Sequence, residues 1–408
     1  MNRVWISTFT LWMGCLLQSG QAAENLAIHG ETVHTMAGPP LKDGVVLVQD
    51  GKITSVGAAA SMRIPDGFKR LQARVVTPGL IDARTVVGLS GILNQPHDQE
   101  QMERSAPVQP ELRAIDAYNS RDDLVDYVRS FGVTTLHTGH APGSVISGQT
   151  MVVKTYPPSL DQALILPESM IAATLGGGST SGEKGKSPGT RAKAMAMLRA
   201  ELLKAQDYVR KQAVPDLEKR PARDLHLETL GRALSGKQPL LITVHRHQDI
   251  LAALRLADEF KLKIVLDGVA DAPLVIDAIK ASGFPVVLHP TQFRSSGEAE
   301  NLSMETASKL QAAGISFALQ SGFETYVPKT RIVLLEAAVA AANGLTFDQA
   351  LASITISAAK VLGLEQRLGS LEPGKDADLA LYDGDPFEYT THCIAVIVSG
   401  VQTDARPR

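Results

Sequence analysis

The sequence predicts an α/β protein, a (β/α)8 barrel of the TIM type joined to a composite β-sandwich that both chain termini build. Two observations predict it. Over residues 79–368 short apolar strands alternate with amphipathic helices. That alternation is the pattern of a parallel sheet with helical crossovers, and so many repeats favour a barrel. On either side, residues 24–78 and 369–408 read as strands and turns. Two β-rich ends around a long α/β middle imply one sandwich assembled from both. The 408 residues suffice for a barrel and a smaller partner domain.

Residues 1–23 stand apart: Arg3 precedes the apolar run VWISTFTLWMGCLL, which gives way to QSGQAA. A basic start, a short apolar stretch and small residues before a cut describe a secretory signal peptide, with cleavage after Ala22 or Ala23. The run is short for a membrane span, so export to a bacterial periplasm is expected rather than stable membrane insertion. A retained membrane anchor and lipidation at Cys15 are the alternatives; the preceding Leu11-Trp12-Met13-Gly14 matches a lipoprotein box poorly.

Next come three strand-like stretches, LAIHGETVHTM, GVVLVQDGKITSVG and RLQARVVTP, with Asp50-Gly51 as a hairpin turn. In the middle, RDDLVDYVRSFG reads as a helix before the strand VTTLHTG (133–139), and QTMVVKT (149–155) as one short strand. Residues 191–212 form a long amphipathic helix. Four strand–helix units then begin at LLITVH (240–245), KIVLDG (263–268), PVVLHP (285–290) and ISFALQSG (315–322). The stretch LGGGSTSGEKGKSPGTR (175–191) contains Gly185-Lys186-Ser187, but Thr180 stands where a phosphate-binding loop needs glycine, so a plain loop is expected. The closing GSLEPGKDADLALYDGDP and AVIVSGVQT return to strands.

The formal net charge of −3 gives no basic field for nucleic acid. After cleavage only Cys393 would remain, which excludes an internal disulfide and a cysteine-based zinc site. Its expected role is a small apolar residue in a strand.

Residues 76–86 read VTPGLIDARTV, and DGKITSVG, FGVTTL, DILAALRLADEF, ITISAAKVLGLEQRLGSLEPGKDADLALYDGDP and AVIVSGVQ follow in order. These phrases closely resemble the amidohydrolase superfamily, in particular the secreted branch related to imidazolonepropionase, over nearly all of the expected mature chain. The resemblance implies hydrolysis of C–N bonds, often in cyclic amides or dipeptides, by metal-activated water. It also implies histidines at alternate positions of the first strand in PGLIDxHxH, further histidines on later strands and a catalytic aspartate. Here the first pair is replaced by Arg84 and Val86, the strand-six histidine by Gly268 and the aspartate by Gly322, while His245 matches the strand-five histidine. Lys154 is the candidate counterpart of a lysine that some relatives carbamylate.

Other chemistry-bearing residues fall at predicted strand ends: His137 and His140, His245 and His247, and His289. A barrel places such ends at one mouth. Arg84 could bind a carboxylate or phosphate with its planar fork, or pair with Asp267 as an ion pair in place of the metal. The expected cofactor is none, or one divalent zinc-like metal at a non-standard site, with His245 the residual ligand. Three functions stay open: a secreted amidohydrolase-type enzyme with an atypical centre, a non-catalytic small-molecule-binding protein, and an inactive partner of a catalytic paralogue. Self-association is compatible with each.

Overall fold

The computed structural model describes residues 24–92, 95–180, 188–323 and 332–403. The export segment and the SGEKGKS part of the glycine-rich stretch lie outside the described residues. The chain begins with strands β1 (Leu26–Val33), β2 (Leu41–Gln49), β3 (Lys52–Ala58) and β4 (Lys69–Pro78). Then come β5 (Leu80–Thr85), helix α1 (Asp123–Arg129), β6 (Val133–Thr138), β7 (Ile146–Gln149), β8 (Met151–Lys154), α2 (Leu160–Ala163), β9 (Leu164–Leu166) and β10 (Ile171–Thr174). Two helices follow, α3 (Arg191–Gln212) and α4 (Leu225–Leu234). Four repeats succeed them: β11 (Leu240–Val244) with α5 (His247–Phe260), β12 (Ile264–Gly268) with α6 (Ile276–Ser282), β13 (Val286–Leu288) with α7 (Thr306–Ala313), and β14 (Phe317–Ala318) with α8 (Val333–Ala342). The chain closes through α9 (Phe347–Ser353), α10 (Ile356–Val361), β15 (Leu379–Tyr382), β16 (Cys393–Val398) and β17 (Val401–Thr403).

The two ends of the chain meet in one mixed seven-stranded sheet, in the order β17-β16-β15-β4-β1-β2-β3. Strand β4 joins them, parallel to β1 and antiparallel to β15. The β2–β3 turn works as its sequence suggests: Asp50 and Gly51 both take positive φ, 50° and 76°. Side-chain alternation gives the sheet apolar residues on both faces. Leu26, Ile28, Val46, Val48, Leu379 and Ile397 share one cluster, whereas Ala27, Val45 and Leu47 pack under Met62, Ile64 and Phe68. The described strands here form this single sheet, where two facing layers were expected.

The middle of the chain forms a six-stranded sheet, β14-β13-β12-β11-β10-β7, and a four-stranded sheet, β5-β6-β8-β9. Strands β10 to β14 are parallel, as the repeats predict. A parallel bridge between Thr85 and Gly322 joins the far edges of the two sheets. Residues 149–155 are not one strand. At Thr150 the backbone N–H turns to the Met170 carbonyl, at 2.8 Å, so the chain leaves one sheet and enters the other. Strand β8 therefore runs antiparallel to β6.

Alternation along the parallel strands separates two apolar layers. Leu240, Ile242, Val244, Leu266 and Leu288 pack with the helices. Leu241, Val265, Val287 and Ala318 face the other way, toward Ile81 and Ala83, in a cluster that includes Ala358, Ala359 and Val361 of α10.

Candidate functional site

Two residues beyond Leu241, Val265, Val287 and Ala318 stand Thr243, Asp267, His289 and Gln320. The two-residue period puts them on the same inner side, one layer closer to the carboxyl ends of the strands, where barrel sites form. An apolar layer is thus capped by a polar one, and each of these four residues is buried. Asp267 accepts from Thr243 Oγ1 at 2.5 Å and from Gln320 Nε2 at 2.6 Å.

Arg84 enters this layer from β5 and is buried. Its Nη2 donates to the His140 carbonyl. Its Nη1 is buried with no hydrogen-bond partner. The expected ion pair with Asp267 is not formed directly. The carboxylate takes its bonds from Thr243 and Gln320 and acts on Arg84 only through space. Burial lowers the pKa of Arg84, while Asp267 and Asp82 oppose the shift. Arginine is nevertheless charged at any ordinary pH.

Asp82 was overlooked at sequence level, although it lies within the VTPGLIDARTV phrase. Its Oδ1 accepts from the backbone N–H of Ser321 at 3.0 Å and of Arg84 at 3.3 Å, which ties β5 to the chain after β14. Burial pushes its carboxyl up to about 7 against those two donors. Ser321 Oγ completes the seam with a bond to Thr85 Oγ1 at 3.0 Å.

The histidines divide into satisfied and orphaned groups. His137 is fully enclosed, and burial followed by the Arg84 charge lowers its pKa to about 3. Being neutral, it donates from Nδ1 to the Ala83 carbonyl at 2.7 Å and accepts at Nε2 from Thr150 Oγ1 at 2.6 Å. It is structural, and Thr150, also unforeseen, is its partner. His140 is buried with both ring nitrogens unpartnered, and burial plus Arg84 lowers its pKa to about 4. Its ring is packed against Gly148, where a Cβ would lie 2.4 Å from Cδ2. His245 follows β11 with Nδ1 buried and unpartnered; burial lowers its pKa although Asp267, Glu298 and Asp271 pull the other way. His289 donates from Nδ1 to the Pro290 carbonyl at 3.0 Å and leaves Nε2 unpartnered. Burial, with His245 adding to it, brings its pKa to about 4.

Two expected mouth residues are elsewhere. Lys154 ends β8, which runs against β6, so its side chain emerges at the opposite end, beside the terminal sheet. There it pairs with Asp378 and, at 3.1 Å, with Asp376. His247 is half-exposed on the first turn of α5, with Nδ1 3.3 Å from Asp271 Oδ2. Asp271 also accepts the backbone N–H of His247 at 2.9 Å, so this pair caps a helix start rather than joining the polar layer.

Comparison with known proteins places this arrangement. The amidohydrolase family model matches residues 293–404. A crystal structure of an amidohydrolase from Thermotoga maritima superposes with a TM-score of 0.88 at 28% identity, covering 93% of this chain and all of that one. This chain is similar in sequence and fold to proteins of the amidohydrolase superfamily. An imidazolonepropionase of Rhizorhabdus wittichii is 26% identical over 413 residues, covering 86% of this chain and 91% of its own length. The amidohydrolase tasK of Hapsidospora irregularis is 25% identical over 388 residues; the match spans 88% of this chain and 39% of that protein.

The superfamily's metal does not fit the residues present. Where the PGLIDxHxH resemblance would put the first two ligands, this chain has a fixed cation, Arg84, and an alkyl chain, Val86. Like charges a few ångströms apart repel by several kcal/mol at the effective dielectric of a partly dry site, on the order of 332/(εr). Positions 268 and 322 hold no side chain, and both have a left-handed backbone. Gly268 has φ 86°, and a Cβ there would lie 2.6 Å from His245 Cε1. Gly322 has φ 71°, and a Cβ would lie 2.5 Å from Pro290 Cγ. Among the described residues no group of three or more His, Cys, Asp or Glu is placed to hold a metal ion.

Proposed function

We propose that this protein uses an amidohydrolase fold to bind a small molecule at the carboxyl ends of the barrel-forming strands, without metal-dependent hydrolysis. The observation that carries this reading is Arg84, a buried guanidinium with an unused donor at the position of the first metal-binding histidine. A buried cation with no direct carboxylate partner is destabilising, and such a cost is commonly retained where a ligand supplies the missing partner. His140, His245 and His289 offer further unpartnered ring nitrogens, all neutral near pH 7. The reading includes the closed (β/α)8 ring with the Thr85–Gly322 bridge as its seam, a barrel spanning 79–368, and a terminal domain of residues 24–78 and 369–408. It also includes export through residues 1–23, which N-terminal sequencing of the exported protein would test.

A second reading, C–N bond hydrolysis at an atypical centre, is favoured by one observation. His245 and His289 interact across Gly268, each with a free nitrogen, beside Asp267. Elemental mass spectrometry of protein purified without chelator separates the two. A folded protein with under about a tenth of an equivalent of zinc, manganese or iron, inactive on a panel of cyclic amides and dipeptides, supports the first. About one equivalent of metal lost in His245→Ala, with turnover, would establish the second.

A further inference from the structure

We infer that Arg84 and His140 form a carboxylate subsite, which deepens the binding function proposed above and rests on it. The guanidinium is held in place: Nη2 is committed to the His140 carbonyl, so Nη1 is fixed in direction and not free to find another partner by rotation. Its neighbours do not use that donor. Asp267 takes its hydrogen bonds from Thr243 and Gln320, and Asp82 from the backbone of Ser321 and Arg84. The side chain of His140 is on the same short segment that Nη2 grips, and it is likewise buried without a partner at either nitrogen. Gly148 leaves room for this ring and no more, so its position is set by packing.

Two buried donors, Arg84 on β5 and His140 on the segment that its Nη2 grips, call for acceptor oxygens. Arg84 supplies a charged N–H, and a neutral imidazole supplies one N–H of its own. A carboxylate satisfies both, and a guanidinium donor bonds it more strongly than it bonds a neutral carbonyl. A phosphate carries more charge and more oxygens than these two donors can meet. The arrangement therefore selects a singly charged, planar anion.

The test is titration of metal-analysed protein, labelled with 15N at arginine side chains, with sodium acetate and separately with acetamide as the neutral isostere. Acetate is expected to shift the Arg84 guanidinium resonances saturably, acetamide to need at least about tenfold higher concentration, and Arg84→Met to abolish acetate binding. Equal responses to both probes, or no saturable response because water alone meets these donors, overturns the subsite. The acetate–acetamide contrast on the unmodified protein decides the matter even if Arg84→Met fails to fold. A metal-free protein that ignores acetate overturns this inference and leaves the binding function standing. A stoichiometric metal held through His245 overturns the binding function itself.

Discussion

Arg84 and Asp82 sit two residues apart and carry opposite burdens. Arg84 keeps its charge despite burial, whereas Asp82 responds by holding its proton up to about pH 7. If Arg84 serves a ligand rather than the fold, Arg84→Met should leave the protein as stable or raise stability by about 1–2 kcal/mol, read from urea midpoints. A loss of more than about 2 kcal/mol would instead make Arg84 a structural residue. Asp82 has a sign of its own. Its folded pKa is above the unfolded value, so the native state binds the extra proton between about pH 4 and 7. Its effect on stability therefore becomes less favourable as pH rises through that window, by a few kcal/mol at most. Asp82→Asn keeps an acceptor for the Ser321 N–H and should remove this dependence, as thermal midpoints across that range would show. The motif phrase made Arg84 legible from the sequence. Asp82, Gln320 and Ser321 were not, because their importance lies in contacts between strands distant in sequence: Asp82 meets Ser321 across the first and last inner strands, and Gln320 reaches Asp267 on β12.

At the level of elements, the strands that obey their own periodicity were readable and the one that does not was not. Helix α3 occupies the predicted residues 191–212, and β11 to β14 fall within the predicted strands. Residues 149–155 look like one strand because every residue from 149 to 155 is buried; the break at Thr150 is a backbone hydrogen bond to Met170 and leaves no trace in composition. That break carried Lys154 away from the mouth and into a buried network. There Asp376 also meets Lys52 and Arg367, each at 2.7 Å, and Asp378 accepts the Ser399 N–H at 2.8 Å. Burial alone would raise the Asp376 pKa, but Lys154, Lys52 and Arg367 together hold it down to about 2. Lys154→Met leaves Asp376 with Lys52 and Arg367 but strands the buried Asp378 carboxylate without a cation, and should cost about 3–5 kcal/mol in urea unfolding. Adding Asp378→Asn should return part of that loss, and a fully additive double variant would show that the pair does not interact.

Across the whole molecule, the inner histidines decide how acid acts on it. His137, His140 and His289 have folded pKa values of about 3, 4 and 4, all below the ordinary value for histidine. Their stabilising contribution is complete above about pH 6.5 and is lost as pH falls toward those values, because the unfolded chain takes up protons first. Asp82 works in the opposite direction over the same range, so the thermal midpoint should fall below pH 6.5, and fall more steeply in Asp82→Asn. A midpoint that stays flat between pH 6.5 and 4.5 would contradict the burial of these rings. The left-handed backbones at Gly268 and Gly322 have a further consequence. A histidine or aspartate at either position needs a differently shaped strand end, so installing a metal ligand there means re-laying backbone before adding the side chain. Gly268→His alone should lower stability by about 2 kcal/mol or more, because an L-residue is strained at that φ and its Cβ meets the His245 ring. Each single substitution costs stability before any metal could offset it, so the two glycines act as a ratchet that holds these strand ends free of side chains.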